Sequence, residues 1–264
     1  MDVKMNMRVK NNKRKRGQIT IFVIIGLLIV AAIALFFLFR EGIIPGIGGI
    51  GGKNPRSALQ NCIENKLQET TDLISKQGGY INPNLYKKFN YEKIAYLCYN
   101  ENYYLSCINQ EPMLIQHLKD EIKNNINTKV EECFNQLKSN LENAGYEVDG
   151  IYRDFDVELV PKKVIIDIDA EITTKRNEET STEKDFVIIF PSRIYDLAVV
   201  AQEITSQEAR FCNFEQTGYM LLYPQFNINK FRTGDGEIIY TVEDRKTQEE
   251  FKFAVRSCVI PPGF

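Results

Sequence analysis

LIQHLKDEIKNNINTKVEECFNQLKSNLENAGYEVDGIYRDFDVELVPKKVIIDIDAEIT, residues 114–173, changes its hydrophobic period once, and that change decides the fold class. Up to Gly145 the apolar residues Leu114, Ile115, Leu118, Ile122, Ile126, Val130, Cys133, Leu137 and Leu141 recur every three or four positions, the spacing of one helical face. The stripe runs for nearly 30 residues and predicts either one long helix or two helices broken near Asn124–Thr128. Beyond Gly145 the period is two. Phe155, Val157 and Leu159 alternate with Asp154, Asp156 and Glu158, while Val164, Ile166, Ile168, Ala170 and Ile172 alternate with Ile165, Asp167, Asp169, Glu171 and Thr173. Such alternation marks strands with one buried face.

Upstream, Leu59, Cys62, Ile63, Leu67, Thr70, Leu73 and Ile74 form another helical stripe, ended by Gly78 and Gly79. The Tyr-rich residues 91–107 fit a short hairpin about Asn100–Asn102. Downstream, the charged run Lys175–Lys184 reads as a loop, Phe186–Phe190 as a buried strand and Tyr195–Arg210 as a helix with Leu197, Val200, Ala201 and Ile204 inward. Strands near Phe226–Arg232 and Glu237–Val242 meet across the turn Gly234-Asp235-Gly236, and Phe251, Phe253 and Val255 mark a last strand. Helices first and strands after predict an α+β fold with an antiparallel sheet. Residues 57–145 read as a helical region carrying the Tyr-rich hairpin, and 146–264 as a mainly β region with one helix.

Ahead of this body the composition shifts. The chain has 264 residues with 33 Lys+Arg and 35 Asp+Glu, yet residues 1–17 hold seven basic residues and one acid, a charge of +6, leaving −8 for the rest. An acidic body argues against nucleic-acid binding. From Gln18 to Phe39 no charged residue occurs. At about 1.5 Å per residue those 22 residues span roughly 33 Å as a helix, enough for a bilayer core, and a core helix of that length would keep a polar face. A cleaved secretory signal fits less well, since the apolar run ends in Phe37, Leu38, Phe39 and Arg40 rather than in small residues. The basic flank places the N-terminus in the cytoplasm and residues 41–264 outside. Residues 41–56, with six Gly and two Pro, read as a linker. Their formal GxGxxG at Gly46, Gly48 and Gly51 lacks the preceding strand that a dinucleotide site needs, and Lys53 lacks the following Ser or Thr of a phosphate loop.

The stretch KRKRGQITIFVIIG, residues 13–26, resembles the class III signal of archaeal type IV pilin-like proteins: a basic segment ending in Gly, then Gln and an apolar helix. In that family a membrane peptidase cuts between Gly and Gln, so the resemblance implies processing between Gly17 and Gln18, with Thr20 where Ser is common. Phe22 departs from the pattern, in which many signals carry Glu four residues after the Gln. The arrangement of Cys62, QGGYI at Gln77–Ile81 and FKFA at Phe251–Ala254 is also similar to a family of archaeal proteins with one membrane helix. These resemblances imply a surface protein anchored through residues 18–39 that associates with itself or with an envelope partner, as a pilin-like structural or assembly subunit. The alternatives are a tethered binding domain for a glycan, envelope or protein partner and, third, a tethered hydrolase.

Six cysteines, Cys62, Cys98, Cys107, Cys133, Cys212 and Cys258, all lie on the outer side, where an even number favours disulfides. About 15 connectivities are open. Among them Cys98–Cys107 across the hairpin, Cys62–Cys133 between the helices and Cys212–Cys258 are favoured. Zinc is the competitor, but the chain has no CxxC and a single His, His117. If Pro161-Lys162 is a two-residue turn, Asp156 faces Asp167 and Asp154 faces Asp169. Opposed like charges call for a cation such as calcium, a basic neighbour or a different register. No GxSxG or HExxH occurs, the formal SxxK at Ser181–Lys184 lacks its partner motifs, and His117 reads as a surface or capping residue on a helix. No motif calls for a cofactor, and the chain reads as a non-enzyme, although carboxylate pairs from distant segments are invisible to motif reading. Tyr91, Tyr96, Tyr99, Tyr103 and Tyr104 fit either a recognition surface or core packing.

Overall fold

The computed structural model describes residues 54–102 and 104–258, together with the helical positions Ile24, Gly26, Leu27, Ile29 and Val30. The basic segment, most of the apolar segment 18–39, the processing site Gly17–Gln18 and the glycine-rich residues 41–53 lie outside the described residues. Among the described residues no helix is long and apolar enough to cross a membrane. The described residues from 54 onward form one compact unit.

Helix α1 (Pro55–Lys76) starts where Asn54 caps it, its side chain accepting from the Ser57 N–H at 3.4 Å, with Pro55 in the first turn. Pro55 and Arg56 therefore belong to the helix rather than to the linker. Leu59, Ile63, Leu67 and Ile74 are buried along one face. At its end Gly78 and Gly79 have φ of +73° and +98°, and the Gly79 N–H returns to the Ile74 carbonyl at 2.7 Å. A Cβ on Gly78 would also lie 3.0 Å from Ala95 Cβ, so both backbone angle and space require glycine. Helix α2 (Leu114–Asn143) is one 30-residue helix. It does not break at Asn124–Thr128 because Ile122, Ile126 and Val130 stay fully buried there and Asn125 Oδ1 accepts from Thr70 Oγ1 at 2.8 Å. The Thr70–Asn125 and Cys62–Cys133 links show α1 and α2 running antiparallel.

Strands β1 (Tyr86–Phe89), β2 (Glu92–Tyr99) and β3 (Ile108–Asn109) lie between these helices; after them come β4 (Glu147–Val160), β5 (Lys163–Arg176) and β6 (Glu179–Pro191). The last three form an antiparallel meander whose inner face packs on α2. The run Lys175–Lys184 is not a loop. It forms the ends of β5 and β6 about a turn at Asn177–Glu178, with Thr173 facing Thr182 at 2.9 Å between hydroxyls. Residues 179–185 are exposed throughout, so β-branched threonines hold a strand that has no burial alternation to reveal it.

Helix α3 (Ile194–Phe211), short helix α4 (Gln216–Leu222), β7 (Phe226–Arg232), β8 (Ile238–Asp244) and β9 (Glu250–Arg256) complete the chain. The second sheet has the order β1-β2-β9-β8-β7, with β3 also on β2. It is mixed rather than antiparallel, because β2 and β9 run parallel. That pairing also joins the helical region to the β region, and one buried cluster runs from Leu59 to Val255. The hairpin expected about Asn100–Asn102 pairs only Cys98 with Asn109 and Tyr99 with Ile108, whereas the tighter hairpin is β1–β2. Its turn residues Asn90 and Tyr91 have φ of 47° and 68°. The sheet curls until its outer strands meet: the Phe89 and Phe231 rings lie 5.2 Å apart, and Lys87 pairs with Asp235 and Glu237. Ile94, Tyr96, Ile239 and Ala254 fill the inside of this curl, and α3 covers the other face.

Candidate functional site

All six cysteines are paired, as Cys62–Cys133, Cys98–Cys107 and Cys212–Cys258. The four aspartates stand in the register of the two-residue turn: Asp154 faces Asp169 and Asp156 faces Asp167. Basic neighbours meet most of this charge. Lys123 Nζ, reaching from α2, lies 3.0 Å from Asp154 and 3.1 Å from Asp156, and Arg153 lies 2.6 Å from Asp169. The Lys123 hydrogen bond holds Asp154 below the ordinary carboxylate range, and the same pair raises Lys123. Among the described residues no group of three or more His, Cys, Asp or Glu is placed to hold a metal ion. His117 packs on Tyr80 with ring centroids 4.2 Å apart. The tyrosines divide, with Tyr96 buried and Tyr91 and Tyr104 exposed, while Tyr103 lies outside the described residues.

Two buried polar groups escaped motif reading. Glu208 on α3 is completely buried, where it accepts from the Tyr240 hydroxyl and pairs with Lys230 Nζ at 3.3 Å. Burial, then the Glu208 charge and hydrogen bond, push the Tyr240 hydroxyl upward. The period did point to it: Leu197, Ala201, Ile204 and Glu208 are spaced four, three and four, so the acid falls on the inward stripe. The second group is Glu237 at the mouth of the curl, 2.6 Å from Lys87 Nζ and 3.8 Å from Arg256. Beside it Asp235 is pulled down to about 2, mainly by its bond from Lys87. Lys87, Asp235 and Glu237 thus link the outer strands of the curled sheet.

One of the open clefts among the described residues lies where the two sheets meet. It has a volume of 440 Å³ and runs between the β4–β5 turn at Lys162, the β6–α3 junction at Ser192 and Arg193, the Gln225 loop and the β8–β9 turn from Asp244 to Glu249. A smaller cleft of 290 Å³ adjoins it through Ser192, Thr247 and Glu249, which line both. The floor is built from internal bonds. Arg193 Nε and Nη2 lie 2.8 and 2.7 Å from Asp244 Oδ2, and Nη1 lies 3.4 Å from Asp196. Glu249 accepts from Ser192 Oγ at 2.9 Å and from the N–H of Arg193, the residue before α3, at 2.6 Å. Burial alone would raise the Asp244 carboxyl; N–H bonds from Thr247 and Lys246 and the Arg193 pair hold it below the ordinary range.

With both acids committed to the floor, the rim is cationic. Lys162, Arg245 and Lys246 are exposed around it. Among the described residues neither Lys162 nor Lys246 makes a side-chain ion pair, while Arg245 spends Nε on the Phe226 carbonyl at 3.2 Å. A rim of three cations over a rigid floor suits an anionic group, with the guanidinium and ammonium donors of Arg245, Lys246 and Lys162 carried by the β8–β9 and β4–β5 turns. Of the rim, only the Pro161-Lys162 turn was read from the sequence; Lys162 and Arg245 come from segments about 80 residues apart. Comparison of the chain with protein-family models, curated proteins and solved structures finds no match.

Proposed function

We propose that the chain is a membrane-anchored extracytoplasmic domain that works by binding, with the cationic cleft taking an anionic group. The observation that carries the compartment is the pairing of all six cysteines, a state that persists where thiols are not kept reduced. The basic residues 1–17 and the uncharged run 18–39 support an anchor with this body outside. The cleft supports binding because, among the described residues, the rim lysines Lys162 and Lys246 make no side-chain ion pair while the acids Asp244 and Glu249 are held by the scaffold.

The test uses the full chain in detergent on beads bearing polygalacturonate or neutral dextran. Retention is expected on the acidic beads alone, with elution by salt and flow-through of a Lys162→Glu, Arg245→Glu, Lys246→Glu variant whose disulfides remain mapped as in the parent. Equal retention of parent and variant, or retention of neither, removes the cleft from the proposal. A second reading, a pilin-like subunit, is favoured by Lys15-Arg16-Gly17-Gln18 and is separated by the mature N-terminus: a chain starting at Gln18 with filaments in micrographs supports it, and an intact leader sinks it.

A further inference from the structure

A lysine ammonium is a strongly hydrated charge that belongs in water. Lys230 on β7 keeps only 12% of its side chain exposed, and acceptors surround its Nζ. It lies 2.7 Å from Oδ1 of Asn213, in the connection between α3 and α4, 3.2 Å from the Phe214 carbonyl and 3.3 Å from Glu208 Oε1. Glu208 is completely buried; Oε1 also accepts from the Tyr240 hydroxyl, while Oε2 has no hydrogen-bond partner among the described residues. The buried rings of Phe214 and Tyr240 stand beside this group, the Tyr240 centroid 5.5 Å from Nζ.

An amine, a carboxamide and a buried carboxylate with one unoccupied oxygen are the parts of an acyl transfer from nitrogen to nitrogen. A C=O bond is about 1.23 Å long, so an Nζ held 2.7 Å from Oδ1 lies within about 4 Å of Asn213 Cγ. That is close to the roughly 3–3.5 Å of a pair placed for attack. The backbones on both sides are tied: Cys212, next to Asn213, is bonded to Cys258, and Lys230 faces Tyr240 in the β7–β8 ladder. We infer that Lys230 and Asn213 join in a side-chain amide bond, with Glu208 carrying protons between them. The Nζ–Cγ bond forms and the Cγ–Nδ2 bond breaks. Of the three ammonium protons one stays on the new amide nitrogen and two pass to Nδ2, by way of Glu208, so that ammonium leaves and Glu208 ends as the carboxylate it began as. Nothing is oxidised or reduced. Lys87 and Asp235 make a comparable pair, but that carboxyl is drawn down to about 2 and is an anion that resists a nucleophile, whereas a carboxamide is neutral. Thiols open disulfides but not amides, so this link would hold the α3–α4 connection to β7 in any redox state. It depends on neither the anchor nor the cleft.

The full chain, purified in detergent with its disulfides mapped, is reduced, alkylated and digested with trypsin. Asn213 and Lys230 share one tryptic peptide, Phe211–Lys230. Trypsin does not cut after an acylated lysine, so the expected product is Phe211–Arg232, lighter by about 17 Da for the lost ammonia, with no backbone fragments separated between positions 213 and 230. Asn213→Ala, at an exposed position, is expected to restore Phe211–Lys230, and Glu208→Gln to lose most of the crosslink. The parent digest decides the bond by itself: this region at its unmodified mass, cut after Lys230 or not, overturns it. A light peptide that is still cut after Lys230 overturns it too, because the ammonia was then lost by Asn213 closing on its own backbone. A crosslink undiminished in Glu208→Gln overturns the role of Glu208.

Discussion

The meander β4–β5–β6 and the curled sheet β1-β2-β9-β8-β7 carry similar charge and treat it in opposite ways. On the meander the acids face solvent in cross-strand pairs, and Lys123 and Arg153 answer them from exposed positions. At the curled sheet the acids are taken out of water: Glu208, between α3 and the sheet, is held by Tyr240 and Lys230, and Glu237, at the mouth of the curl, by Lys87 and Arg256. Solvent screens the first set, so each pair contributes little. The second set is taken out of water, so each member is costly to leave alone. Position relative to the core therefore decides what a charge is worth here.

The largest break in that contrast is Glu208→Ala. It strands the Tyr240 hydroxyl and Lys230 in the core and is expected to cost about 3–5 kcal/mol in urea unfolding, with Glu208→Gln recovering part of the loss. Removing the helix-pair bridge by Cys62→Ser with Cys133→Ser is expected to cost about 4 kcal/mol, because 71 residues separate the two cysteines; equal loss from opening Cys98–Cys107, nine residues apart, would contradict the loop-length account. Asp244→Asn comes next, at about 2 kcal/mol at neutral pH. Its folded pKa lies below the unfolded value, so its stabilisation is present above the ordinary carboxylate range and disappears as pH falls through the lowered value. Unfolding midpoints of the parent should fall on acidification below about pH 4, and those of Asp244→Asn should fall less. Smallest of all, Lys123→Met is expected to change stability by under about 1 kcal/mol in physiological salt. With Arg153→Met added, the four facing aspartates lose those two basic neighbours, and millimolar calcium should then raise the midpoint of the double variant by more than that of the parent; equal response would show that the lysine and arginine do not answer the register charge.

The same contrast separates what was legible in the sequence from what was not. The α2 stripe and the β4–β5 register follow from neighbours in the chain: Ile122, Ile126 and Val130 declare one face, and Pro161-Lys162 sets Asp154 against Asp169. The parallel pairing of Tyr96 with Ala254 has no such local signature, since nothing near either residue encodes a partner more than 150 positions away. The Lys175–Lys184 strands were missed for the converse reason, their residues being wet on both faces. Of the cleft, the Pro161-Lys162 turn was legible, but Ser192 and Asp244 join it only through the packing of the two sheets.

The parallel pairing also orders events in time. Strand β9 lies between β2 and β8, so the curled sheet has a gap at its centre until residues 250–256 are made, and Cys212 has no partner until Cys258 follows them. A ribosome adding roughly ten residues each second leaves β2 waiting about a quarter of a minute with an open edge. An open edge is a template for other chains. Shortening the gene by the codons of β9 would thus remove the keystone rather than trim an end, and the product is expected to enter inclusion bodies instead of forming a smaller version of the same fold.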